Sequence, residues 1–122
     1  MSKVIHFEIQ VPNPEKTMKF YEEVCDWRFE KWDGPEDYWL VYTGEDDSPG
    51  IDGGLMRSPD GQARTTNTIA VENVDDYIKK VEEHGGVVVV PKMPIPSVGY
   101  LAYCKDPEGH LFGIMHLDSD AK

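Results

Sequence analysis

Residues 4–11 alternate strictly: Ile5, Phe7, Ile9 and Val11 interleave with Val4, His6, Glu8 and Gln10. That period of two predicts a strand with one covered face. The rhythm then changes. Asn13 is a good helix N-cap and Pro14 suits the first helical position. Thr17, Met18, Tyr21 and Val24 fall at helical spacing and predict a buried stripe. Three further strands are expected at about 27–33, 38–43 and 51–57, broken by the turn-forming segments GPED and EDDSPG.

The same sequence of signals then recurs. Val11 pairs with Val71, Asn13 with Asn73, Met18 with Ile78 and Tyr21 with Val81, all at a spacing of 60. Near the end of each half, GIDGGLM at residues 50–56 matches GHLFGIM at 109–115 with a spacing of 59. An internal repeat of this kind has to be read before any local assignment. In the second half, Asn73 caps a helix whose first turn carries Asp75 and Asp76. Val74, Tyr77, Ile78 and Val81 are its apolar stripe, and Gly85 and Gly86 end it. Strands follow at about 87–91, 100–105 and 110–117. The Pro-rich stretch 91–99 is expected as a loop and DPEG as a turn.

The prediction is therefore an α+β fold of two tandem β-α-β-β-β modules. They would form a curled eight-stranded mixed sheet around a cavity, with the helices on the outer face. Module one spans about 1–57, a linker 58–64, and module two about 65–118. If Phe7, Ile9 and Val11 face the helix, then His6, Glu8 and Gln10 face the other way. The equivalent positions in the second half are Thr66, Thr68 and Ala70. Gly54 and Met56, like Gly113 and Met115, share parity with the same face. Glycine makes room there and methionine lowers polarity, which suits a small organic ligand.

Charge removes several function classes. Twelve basic residues against 23 acidic ones give a net charge of −11, leaving little for a nucleic-acid-binding or anionic-membrane-binding surface. No apolar run approaches the roughly 20 residues that cross a bilayer. Cys25 and Cys104, without a secretory signal pattern, read as reduced thiols, so the cytoplasm is the expected compartment. Cys104 is expected as a small buried hydrophobe, His110 as exposed, His84 as a helix end and His116 as a peripheral packing residue.

The segments HFEIQVPNPEKTMKFYEEVCDWRFE and GYLAYCKDPEGHLFGIMH resemble the vicinal oxygen chelate superfamily, which includes glyoxalase I, bleomycin-resistance proteins and extradiol dioxygenases. GGLM and DPEG-x-x-FG look closest to the subgroup of predicted enzymes related to lactoylglutathione lyase. The resemblance implies a homodimer. It also implies metal ligands on the first and last strands of each module, at positions that here read His6, Gly54, Thr66 and Gly113. A lone imidazole cannot hold a catalytic divalent ion, so no cofactor is expected and a metal is disfavoured. The leading expectation is metal-free binding of a small organic molecule by Gln10, Gly54, Met56, Thr66, Thr68, Gly113 and Met115. The alternative is a lyase, isomerase or dioxygenase working through His6 and Glu8 as an acid–base pair, or through a metal site rebuilt from other residues. A purely structural role, with the cavity incidental, is the third possibility.

Overall fold

A computed structural model describes residues 2–122. The element order is β1 (Val4–Val11), α1 (Pro14–Cys25), β2 (Arg28–Lys31), β3 (Tyr38–Tyr42), β4 (Gly53–Arg57), β5 (Arg64–Ala70), α2 (Val74–Glu83), β6 (Val87–Ile95), β7 (Gly99–Lys105) and β8 (Leu111–Leu117). Eight strands and two helices, paired in both parallel and antiparallel fashion, are the expected α+β mixed-sheet composition. The chain divides into two compact units: His6–Thr65, and Thr66–Lys122 together with the N-terminal residues as far as Ile5.

In the first unit the strand order is β2-β3-β4-β1. The β2–β3 and β3–β4 pairs are antiparallel, and β1 runs parallel to β4. The parallel pair needs a crossover, and α1 lies within it. Asn13 caps α1 by accepting the Lys16 N–H, and Pro14 occupies the first turn. Met18, Val41 and Leu55 are the buried core, with Phe7, Ile9, Val11, Trp27, Phe29 and Trp39 packed around them. The period-two reading of β1 therefore holds. Val24 does not join this core: it is 62% exposed. Asp26 turns left-handed at the end of α1, and Trp27 comes back to stack on Tyr21 at 4.5 Å and to cover the core itself.

The second unit has the order β5-β8-β7-β6, with β5 parallel to β8 and the other pairs antiparallel. Val74, Ala102, Cys104 and Ile114 are its buried centre, with Tyr77, Ile78 and Val81 of α2 packed on it. Burial raises the Cys104 thiol pKa, and the nearby Glu82 charge adds to that, so Cys104 is an inert core residue as expected. In the DPEG turn, one carboxylate oxygen of Asp106 accepts the N–H groups of both Glu108 and His110. That is the local reason for the motif.

Two expectations need correcting here. The Pro-rich stretch is not a loop as far as Ile95: β6 continues to that residue as an edge strand, with shifts in register around Val90 and Met93. Proline is tolerated on an edge, where its missing N–H costs no ladder bond. His116 is also more than peripheral packing. Its Nδ1 accepts the Val74 N–H at 2.9 Å, one of the unpaired donors at the start of α2.

The repeat explains why only α2 needs this. Its counterpart α1 begins with Pro14, which has no N–H. The residue matching His116 is Arg57, which instead donates to the Pro12 carbonyl at 2.9 Å and pairs with Glu15. His116→Ala is expected to lower unfolding free energy by about 1 kcal/mol, the usual worth of a lost capping bond, while His116→Asn, which keeps an acceptor, recovers part of it. Urea denaturation of the three proteins measures the difference.

Candidate functional site

The face of the first unit opposite α1 is fixed by strand register. Glu8 lies beside Gly54 and Gln10 beside Met56 across the β1–β4 pair. Leu40 lies opposite Gly54, and Tyr38 opposite Met56, across β3–β4. Partners in register share a face, so His6, Glu8, Gln10, Gly54, Met56, Tyr38 and Leu40 all project the same way.

His6 Nε2 and the Tyr38 hydroxyl are hydrogen-bonded at 3.1 Å. Burial holds the His6 pKa below its ordinary value, so the ring is neutral at pH 7. The Tyr38 phenol also lies where a side chain on residue 54 would have to go: a Cβ added to Gly54 would collide with Tyr38 Oη and Cζ. With Tyr38 in this place, residue 54 has no room for a side chain.

Beyond this pair runs a chain of polar contacts. Gln10 Nε2 donates to Glu8 Oε1 at 3.1 Å and lies 4.0 Å from Met56 Sδ. Gln10 Oε1 in turn accepts from Arg64 Nη1 at 2.8 Å. Arg64 is also paired with Asp60, whose carboxyl it holds far below the usual carboxylate range, with help from Ser58 and the Gln62 N–H. With its oxygen committed to a guanidinium, the Gln10 amide can present only its NH2 to Glu8. Glu8, 9% exposed, is thereby fixed as an oriented acceptor.

In the second unit Thr68 lies beside Gly113 and Ala70 beside Met115 across β5–β8. Tyr103 lies opposite Gly113 across β7–β8. A Cβ on Gly113 would come within 3.0 Å of Thr68 Oγ1 and 3.2 Å of the Tyr103 ring. Thr66 is 2% exposed, and its hydroxyl has no hydrogen-bond partner among the described residues.

Each expected site residue thus has a place. His6, Glu8, Gln10, Gly54 and Met56 come together in the first unit, and Thr66, Thr68, Gly113 and Met115 lie on β5 and β8 of the second. Tyr38, Arg64 and Asp60 were not anticipated. Tyr38 carried a readable signal, since it shares parity with Leu40 and Tyr42 on a predicted strand. Arg64 and Asp60 stand in the segment read as a linker, and nothing in their spacing pointed to β1.

The four positions where metal ligands would be expected hold one imidazole, two glycines and a threonine hydroxyl, a donor set that does not fit a resident divalent ion. No group of three or more His, Cys, Asp or Glu residues suited to a metal occurs among the described residues. None of the described helices is long and apolar enough to cross a membrane.

The fold and the residue pattern of this face define a class, and comparison with known proteins names it. Residues 3–114 match the Glyoxalase/Bleomycin resistance protein/Dioxygenase superfamily, and the chain belongs to that superfamily. No curated protein sequence matches it. Among solved structures it is similar to a hypothetical protein from Bacillus halodurans C-125, with TM-score 0.72 and 17% identity over 99% of this chain and 98% of that one. The methylmalonyl-CoA epimerase from Mycobacterium tuberculosis gives TM-score 0.68 and 12% identity over 94% and 87%. The Mn(II)-bound glyoxalase from Novosphingobium aromaticivorans gives 0.69 and 19% over 99% of this chain and 41% of that one. At these identities the likeness is one of fold.

A neutral, buried His6 makes stability depend on pH. Its folded pKa lies below the ordinary 6.5, so its contribution is complete above pH 6.5 and is lost as pH falls towards and through the folded value. Unfolding free energies measured between pH 7.5 and pH 5 are expected to fall less steeply for His6→Gln than for the wild type.

Proposed function

We propose that the protein binds a small organic molecule on the face carrying His6, Glu8, Gln10, Tyr38 and Met56, without a resident divalent ion. The observation that carries this reading is the chain Asp60–Arg64–Gln10–Glu8, which fixes a carboxylate and an amide in one orientation beside a thioether and a neutral imidazole. A few oriented polar groups set among apolar ones are what recognition of an organic ligand requires, and rigid support is what makes it selective. Charge supports the same reading: residues 6–65 hold six basic and 14 acidic side chains, so a neutral or cationic ligand meets less repulsion than a polyanion.

The test has two arms. Elemental analysis of the purified protein is expected to find no stoichiometric nickel, zinc, iron or manganese, and native mass spectrometry or a thermal-shift panel of neutral and cationic metabolites to find a stabilising organic ligand. Arg64→Met, which frees the Gln10 amide to rotate, is expected to weaken that ligand about tenfold, the worth of one oriented hydrogen bond. Stoichiometric metal in the wild type would overturn the proposal.

A second reading is an isomerase or lyase related to lactoylglutathione lyase, with His6 as base and Glu8 beside it. The neutral imidazole favours it, because a base must be unprotonated at working pH. The fold likeness to an epimerase and a glyoxalase is consistent with it. It predicts that an identified ligand acquires solvent deuterium in D2O in the presence of wild type and not of His6→Gln. Binding without exchange or turnover favours the first reading.

A further inference from the structure

We infer that Tyr38 is the specificity-determining residue of this face: its hydroxyl occupies both the side-chain space of residue 54 and the ring nitrogen of His6, and so turns the site from cation ligation to hydrogen bonding. The inference rests on the metal-free reading above and explains it.

Two independent contacts carry it. The first is steric. A carboxylate donor at position 54 would need a Cβ, and the only place for that atom is taken by Tyr38 Oη and Cζ. With the phenol in this place residue 54 has room only for glycine, and a donor side chain there requires Tyr38 to move. The second is chemical. Nε2 of His6 is bonded to the Tyr38 hydroxyl at 3.1 Å. Whichever partner donates, that nitrogen has no lone pair left for a cation: it either accepts the phenolic proton or carries a proton of its own. A cation ligating Nε2 would have to break this bond first.

The protein's field does not do this job. With 14 acidic side chains against six basic ones in residues 6–65, the long-range attraction is towards cations. Any bias against a divalent ion at His6 has to come from local groups, and Tyr38 is the one hydrogen-bonded to the imidazole. Its position is held from β3, where its backbone carbonyl accepts the Trp32 N–H at 2.8 Å and its ring meets the Trp32 ring edge-on at 6.2 Å. The ligand that replaces a cation must therefore satisfy a phenol–imidazole pair, which calls for an uncharged group that donates or accepts hydrogen bonds, such as a hydroxyl, amide or carbonyl.

The experiment uses NiCl2 as probe, with calorimetric titration and ring 15N resonances of His6 read on wild type, Tyr38→Phe, the double variant Tyr38→Ala/Gly54→Glu, and each of these with His6→Gln. Tyr38→Phe keeps the ring and removes only the hydroxyl. It is expected to shift the His6 Nε2 resonance and to tighten nickel binding about tenfold, an increment that disappears with His6→Gln. The double variant adds a carboxylate in the vacated space and is expected to tighten it about tenfold more. If Tyr38→Phe leaves the His6 resonance and nickel affinity unchanged while the wild type stays metal-free, the inference fails and the binding proposal stands. If the wild type itself binds nickel tightly through His6, both fail. Should the double variant not fold, the Tyr38→Phe comparison decides alone.

Discussion

Burial of Phe7, Ile9 and Val11 around Met18, Val41 and Leu55 is the constraint on which the first unit depends. A strand places alternate side chains on opposite faces, so committing one set to the core commits His6, Glu8 and Gln10 to the other. Parallel pairing then carries the choice to β4, and antiparallel pairing carries it from β4 to β3. A slip of one residue in β1 would bury three polar groups and expose three apolar ones. The candidate face is thus oriented by the core packed on the other side of the strand, and its side chains can differ while the scaffold stays.

The two halves show how far that freedom reaches. At the helix starts, Pro14 has no N–H to satisfy and Arg57 is released to hold Pro12 and Glu15, whereas Val74 has one and His116 accepts it. At the last strands, Gly54 and Gly113 occupy matching positions, but different neighbours fill the space above them. A tyrosine diagonally across the ladder crowds Gly54, and Tyr103 directly opposite, together with Thr68, crowds Gly113. The two halves share a backbone plan and solve their polar pairing differently.

Most of the architecture was readable because it rests on short-range rules. Asn13, Pro14, Asn73 and Gly85 mark helix ends by local chemistry alone, and period-two alternation gives the facing of β1 without any knowledge of its neighbours. What escaped depends on partners far along the chain. Proline in β6 argued for a loop because the sequence does not say which strand will be an edge. Val24 fitted the helical stripe because the sequence does not say that Trp27 will return over Tyr21. The identities at His6, Gly54, Thr66 and Gly113 were legible, and so was the shortage of donors. The crowding of Gly54 was not, since it requires the β3–β4 register that places Tyr38 opposite Met56.

That register also bears on how the space around His6 is filled. Glycine at position 54 leaves volume beside a histidine, and a buried imidazole with an unmet nitrogen costs more than one that is paired. A tyrosine on the adjacent strand resolves both problems with one side chain, filling the volume and meeting the nitrogen. With the ring in that place, a side chain on residue 54 requires Tyr38 to move. In the second half the residue matching His6 is Thr66, a small buried hydroxyl with no partner of its own among the described residues. One half therefore carries a polar group large enough to need a partner and supplies it from the adjacent strand, while the other carries a group so small that little is left to satisfy.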